Sequence, residues 1–498
     1  MAKAADQASE LLLKPCTVQL VDGQEVAGQL AYQGDSLVVV YSPNGGTLRS
    51  FPKALVQSLT AGGSRTEMNA ARPLTGAEKD LLGRIDWPDA VPAKGRKPAY
   101  ATEKWPSPKC LMIWKAPGSP GILGERDNWI ILGDASSDPK VLGDTETDIL
   151  LPAAEKPYKV QFGARAAGTV RCRHIMVGRN ATLNPAATTA MTGNMWIARD
   201  GMYRCRYTTT LSAGKNTFFL NDQPRLTPES PGAKRVRNGY IIPHDNKYSL
   251  SQYVNVSKGD ESVEFVGTVA TSDDFQMLSG TVIVAEDAQL WPGTRSVQYV
   301  RVGTTLRLMS GAEYGKAYNA PGSGYGFKYS EGSLDVVVAG RVEAGSPDHP
   351  ITKDVHFNIS FKAPVGFESP SDGTLERRVP GAIIGPGAQI RVHTTDPAKA
   401  KLVIGWHRRH NAWFESRLKG YKEMPEEIAI GICGSLMLEN VRFENVAKEG
   451  LLMEDPSAVD RWKNVTFGES CRGTPKELIV KWPDSLRMIL VSKKWDRR

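Results

Sequence analysis

The stretch Trp406-His407-Arg408-Arg409-His410-Asn411-Ala412-Trp413-Phe414-Glu415 packs two of the chain's seven histidines beside two arginines, three aromatic rings and a carboxylate. Rings of this kind stack on sugar faces, guanidinium forks grip carboxylate or phosphate, and His with Glu can move protons. On a loop over a groove, Trp406, Trp413 and Arg409 would form a platform for carbohydrate or phosphate. The competing reading is that Trp406 and Phe414 plug a core while their charged neighbours face water. The candidate ligand-binding set is Trp406, His407, Arg408, Arg409, His410, Trp413 and Glu415, and no catalytic residue is assigned.

Other chemistry is sparser. Asp144 with Glu146 and Asp148, and Asp260 with Glu261, are acidic groups without the D-x-D-x-D-G loop of a calcium site, so no metal and no cofactor is expected. Six cysteines form no CxxC pair and no zinc spacing. Arg171-Cys172-Arg173 is echoed by Arg204-Cys205-Arg206, and Cys433 and Cys471 lie near the end of the chain. Equivalent cysteines on stacked strands about 4.8 Å apart could be bridged. Cys172 with Cys205 and Cys433 with Cys471 are therefore the disulfide candidates, against the plainer reading of buried thiols.

The elements that must carry these residues follow from composition and punctuation. The chain has 498 residues, 41% apolar and 23% charged, enough for a core and for more than one domain. Its 48 Gly and 32 Pro mean that it turns often. A net charge of +8 favours anionic partners without naming one. Apolar runs such as Leu37 to Tyr41 are strand-sized, so no membrane span is expected. The opening MAKAADQASELLLKPC lacks the apolar core of a signal peptide, which fits a cytosolic protein or a mature secreted form.

Residues 1–13 read as a tail. Within 14–62, Thr17 to Val21, Glu25 to Tyr32, Ser36 to Ser42, Thr47 to Phe51 and Leu55 to Leu59 are strand-like, separated by Asp22-Gly23, Gly34-Asp35 and Asn44-Gly45-Gly46. Five such strands hide their edges by curling into a small barrel. Residues 63–128 read as a connector rich in Pro, with Trp87, Trp105 and Trp114 pinning it to a neighbour. Its one helix signal is a capping box from Thr75 to Glu78.

From 129 to 490 short strands end at Gly, Asn or Asp, and phrases return: Gly168-Thr169-Val170, Gly267-Thr268-Val269 and Gly280-Thr281-Val282, then Asn440-Val441-Arg442-Phe443 and Asn464-Val465-Thr466-Phe467, with Asn358-Ile359-Ser360-Phe361 of the same shape. The step between the two closest Asn phrases matches one rung of a parallel β-helix. Leu436 and Leu438 point inward, a polar corner follows at Glu439-Asn440, and Val441 and Phe443 point inward again, a phase break that marks a bend. Asn440 and Asn464 are expected to stack amide on amide. A β-sandwich array is the rival. Residues 491–498 form a basic tail.

Two resemblances add to this. The order TVQLVDGQEVAGQL, a hairpin, then LVVVY resembles SH3-like and Sm-like barrels, which implies docking or, in the Sm family, RNA binding. Gly332 to Phe361, through Gly332, Gly340, Gly345, Pro347 and Pro350, resembles the closing part of a G8 region, with a weaker likeness back to about Glu264. That likeness implies a right-handed, pectin-lyase-like β-helix in a secreted or cell-surface protein. Pectin-type hydrolases use four short phrases, of which this chain offers Asp273-Asp274 and Arg461-Trp462-Lys463, with Asn221-Asp222 in partial place of a third and no Gly-His.

The expectation is thus an all-β protein: a right-handed parallel β-helix preceded by a small barrel and a Pro-rich connector. The expected function is noncatalytic, as an extracellular or cell-surface structural protein that stacks head to tail on itself into a fibre or layer and binds acidic polysaccharide. The alternatives are a polysaccharide lyase or glycoside hydrolase, and a cytoplasmic RNA-binding barrel protein, nucleic acid being the less favoured partner.

Overall fold

The computed structural model describes residues 14–33, 37–42, 47–79, 109–116, 118–133, 141–142, 145–152, 154–161, 169–185, 188–203, 205–212, 216–222, 251–270, 275–291, 298–315, 336–358, 382–405 and 428–482. The chain is all-β and divides into two compact units, one holding most of the first 223 residues and the other most of the remainder. Among the described residues no helix is long and apolar enough to cross a membrane.

The first unit opens with an antiparallel sheet of six strands, Pro15–Leu20, Glu25–Gln33, Leu37–Ser42, Thr47–Pro52, Val56–Ala61 and Ser64–Glu67, in the spatial order fourth, third, second, first, fifth, sixth. Alternate residues of the first strand are buried, and Val18, Leu20, Leu30, Val38, Val40, Phe51, Val56 and Leu59 meet in one core. Five strands can share a core on one face only if the sheet curls over it. Asp22-Gly23 makes the first turn, with Gly23 at φ 89° and the Asp22 carboxylate accepting from Gln24 N. The capping box is formed: Glu78 N donates to Thr75 Oγ1 and Thr75 N to the Glu78 carboxylate, starting the helix Gly76–Lys79.

The same unit holds a parallel coil. One ladder runs Cys110–Trp114, Thr147–Leu151, His174–Val177, Met195–Ile197, Thr217–Asn221. A second contains Gly121–Ile122, Tyr158–Gln161, Ala181–Asn184 and Met202–Tyr203, and a third Val141–Leu142, Thr169–Cys172 and Thr189–Met191. Each turn of chain contributes one strand to each ladder, the arrangement of a parallel β-helix. Its first strand, Cys110–Trp114, lies within the segment read as connector. That five-residue apolar run is buried at every position. Trp114 packs edge-on against Trp129 at 5.3 Å instead of pinning an arm, while Trp87 and Trp105 lie outside the described residues.

The second unit is likewise a coil with three faces. The first face stacks residues 281–284, Thr305–Leu308, Arg341–Ala344 and Gln389–Val392. The second stacks residues 268–270, Gln289–Trp291, Glu313–Gly315, Val355–Asn358, Leu402–Gly405, Val441–Glu444 and Thr466–Phe467. The third includes Gln298–Val300, Val336–Val338, Ala382–Ile384, Ile428–Ile432, Val446–Met453 and Ile479–Lys481. Inside the second face Leu290, Tyr314, Phe357, Ile404, Phe443 and Phe467 form one column, with Tyr314 and Phe357 rings 5.6 Å apart and Phe443 and Phe467 stacked at 5.6 Å. Each fully buried member contributes about 1.5–3 kcal/mol of apolar burial.

Corners explain the repeated phrases. Gly267 and Gly280, at φ 81° and 77°, turn the chain from one face to the next, so the Thr-Val after each begins a new ladder, though not the same one. Leu436, Leu438, Val441 and Phe443 are buried and Met437 exposed, as the phase break requires. Asn440 and Asn464 both sit at positive φ, 58° and 51°, and Asn464 Nδ2 donates to Asn440 Oδ1 at 2.8 Å across 24 residues. Asn358 does not share this position: it ends its strand, in register with Gly405 and Glu444, so its phrase is out of phase with the other two. Asn440→Ala should lower unfolding stability by about 2 kcal/mol, from the left-handed backbone and the lost amide bond. Asn440→Gly should recover about half, since it relieves only the backbone; equal urea midpoints for both variants would refute the division.

Candidate functional site

The stretch from Trp406 to Glu415, and with it His407, Arg408, Arg409, His410 and Trp413, lies outside the described residues, as do Asp144, Asp273-Asp274, Gly332 and the ends of the chain. What the structure does place is the point from which that stretch departs. Gly405 ends a second-face strand and is in register with Asn358 and Gly315 on the two preceding rungs. After each of these three residues comes a long segment, 316–335, 359–381 and 406–427, before the third face resumes at Val336, Ala382 and Ile428. Three successive rungs thus release their insertions at one stacked corner.

The corner is close-packed. A Cβ on Gly315 would lie 2.6 Å from the Trp291 ring, and one on Gly405 2.2 Å from Glu444 O. Trp291 and Asn358 are buried although they alternate with the interior column, and Asn358 Nδ2 has no hydrogen-bond partner among the described residues.

Along the outer side of the same face runs the register Thr268, Gln289, Glu313, His356, Val403, Arg442, Thr466. Gln289 Nε2 donates to Glu313 at 2.9 Å and is itself next to Thr268. Further on, Arg442 donates from Nη2 to Asp354 at 2.6 Å and from Nε to Glu444 at 3.0 Å, and Ser470 Oγ donates to Glu444. Lys401 Nζ donates to Asn464 Oδ1 and Thr466 Oγ1. Desolvation and the nearby Arg442 lower the Lys401 pKa. None of these residues was singled out for chemistry in the sequence except as repeat markers, because rung lengths vary: Asp354 and Arg442 are 88 residues apart, Lys401 and Thr466 65.

The first unit has its own buried cluster. Asp148 accepts a fork from Arg173, Nε at 2.8 Å and Nη2 at 2.6 Å, and both side chains are almost fully covered. His174 Nδ1 accepts from Asn194 N at 2.7 Å and its ring meets Trp196 edge-on. Gly193 lets this happen, since a Cβ there would lie 2.4 Å from His174 Nδ1. Asp148 is thus held by an arginine, whereas Glu146 pairs with Lys109 at 2.5 Å in solvent. The acidic group read from Asp144, Glu146 and Asp148 is divided between interior and surface. The side chains of Asp260 and Glu261 lie outside the described residues. Among the described residues no cluster of three or more His, Cys, Asp or Glu could hold a metal.

The disulfide candidates are not bridged. Cys172 is a buried free thiol whose register partner on the next rung is Met191, not Cys205, and burial holds its pKa well above the usual thiol range. Cys471 is also a free thiol, donating to Phe443 O, so the Cys433–Cys471 pairing is absent too. Of the hydrolase-like phrases, Asn221 and Asp222 are buried, Arg461 pairs with Asp455, and Trp462 Nε1 donates to Leu436 O.

No family model, no curated protein and no solved structure matches the chain.

Burial pushes the Asp148 carboxyl up to about 6, against the pull of Arg173. An unfolded Asp titrates near 4, so between about 4 and 6 the folded chain holds the proton longer. The contribution of this group is therefore full below pH 4 and is lost as pH rises through about 6. Thermal melts of the wild type should show this falling component, and Asp148→Asn should lack it.

Proposed function

We propose that this protein is a noncatalytic scaffold of a cell surface or extracellular matrix that binds acidic polysaccharide along a right-handed β-helix. The observation that carries the reading is the stacked corner at Gly315, Asn358 and Gly405, where a hydrogen-bonded ladder fixes the departure of three successive segments. The third begins with Trp406 and carries the aromatic and basic residues of the stretch Trp406 to Glu415. Stacked rungs suit a linear polymer, because successive rungs meet successive sugars.

Further support comes from the carboxylates. Asp148, Asp354, Glu343 and Glu444 each accept from an arginine, which is how a carboxylate is used to hold structure. The likeness of Gly332 to Phe361 to a G8 region belongs to the same proposal. Two of its glycines have backbone reasons: a Cβ on Gly340 would lie 2.0 Å from Arg301 O, and Gly345 sits at φ 68°.

In affinity electrophoresis the full chain should be retarded by polygalacturonate and not by neutral dextran, and incubation should release neither reducing ends nor unsaturated sugars. Product release that disappears in His407→Ala or Arg409→Ala would replace the scaffold by a lyase or hydrolase.

A further inference from the structure

The outer side of the first face in the second unit carries a different pattern from the second. Its outward register is Thr305, Arg341, Gln389 in one column and Arg307, Glu343, Arg391 in the next, two residues along each strand. The inward positions between them, Leu306, Val342 and Ile390, are buried. Three arginines therefore stand on three consecutive rungs around one carboxylate.

That carboxylate serves to position the arginines. Arg307 donates to Glu343 Oε2 from Nε at 2.9 Å and from Nη2 at 2.8 Å, and Arg341 Nη1 lies 3.5 Å from Glu343 Oε1. Arg341 Nε donates to Gln389 Oε1 at 3.3 Å. Glu343 is almost covered, while the Arg341 side chain keeps 40% of its surface open. Arg391, in register with Glu343, is exposed and has no ion-pair or hydrogen-bond partner among the described residues. The face holds a net positive charge on side chains already oriented by backbone register, with one arginine per rung at about 4.8 Å.

We infer that this face is a binding track for a linear, carboxylate-bearing glycan, gripped by Arg341 and Arg391. The inference rests on the proposed glycan-binding function and assigns to it a surface on the first face, separate from the corner at Gly315, Asn358 and Gly405. Guanidinium forks match carboxylates in geometry. Thr305 and Gln389 beside them offer donors and acceptors for sugar hydroxyls. None of the six outward residues is aromatic, so the face lacks the rings on which single-stranded nucleic acid stacks. Arg341 and Arg391 stand on consecutive rungs, which places their charges one rung apart along a polymer lying on the coil, while Arg307 is held by the buried Glu343.

The test measures binding of the full chain to polygalacturonate at two salt concentrations, with neutral dextran and a single-stranded DNA oligomer of matched charge as comparisons. The double variant Arg341→Gln/Arg391→Gln should weaken polygalacturonate binding at least tenfold and flatten its salt dependence. Lys399→Gln, which removes a surface charge paired with Asp396, should change it less than twofold. Unchanged thermal melts will show that Arg307 and Glu343 still hold the fold. Wild-type affinity in the double variant would overturn the track while leaving glycan binding intact. Absence of wild-type binding to polygalacturonate would overturn both readings, and tighter binding to the DNA oligomer would overturn the assignment to a glycan.

Discussion

Parallel strands stacked in register impose one condition on everything else in this molecule. Each residue of a rung sits about 4.8 Å from its counterparts above and below, so every position must tolerate its own column. Apolar columns satisfy this readily, as Leu290 to Phe467 do. Polar columns satisfy it only by complementing their neighbours. Asn464 donates to Asn440, Gln289 to Glu313, and Glu343 lies between Arg307 and Arg391. An isolated charge would be repeated against itself along a like-charged column, and the outer faces avoid this by alternating donor and acceptor.

The same condition accounts for where variation is allowed. A rung must return to register, but the length of chain spent between strands does not enter the ladder. The second unit places its long insertions after the second face, whereas the turn between the third and first faces stays tight. There Gly340 approaches the backbone of Arg301 too closely for any side chain. Both corners are close-packed at their glycines, but only the first is followed by long segments.

Legibility in the sequence follows from this division. The six-strand sheet was readable because its strands alternate and its first turn is Asp22-Gly23, and only the short Ser64–Glu67 strand escaped notice, being polar at every exposed position. The capping box at Thr75 and the Asn440 to Asn464 step were readable because they are local or separated by an uninterrupted rung. Cys110–Trp114 was not, because a run buried on both sides has no periodicity and lies among prolines. Nor were the Arg442–Asp354 network and the Arg307–Glu343–Arg391 column, since insertions stretch the spacing between their members. Equivalence of Cys172 with Cys205 failed for a related reason: repeated spelling identified similar strands, but Met191 occupied the rung between.

The first strand of the coil, Cys110–Trp114, has one edge on Thr147–Leu151 and the other on Trp129–Gly133, which runs antiparallel to it from Trp114↔Trp129 to Cys110↔Gly133. A strand with both edges occupied cannot template another chain. Trp129–Gly133 is thus the terminal strand of this sheet, and because it runs antiparallel to the coil it interrupts the parallel stacking that Cys110–Trp114 begins. A further copy of the coil could not continue the parallel register across that strand, since its carbonyls and amides present the antiparallel pattern instead.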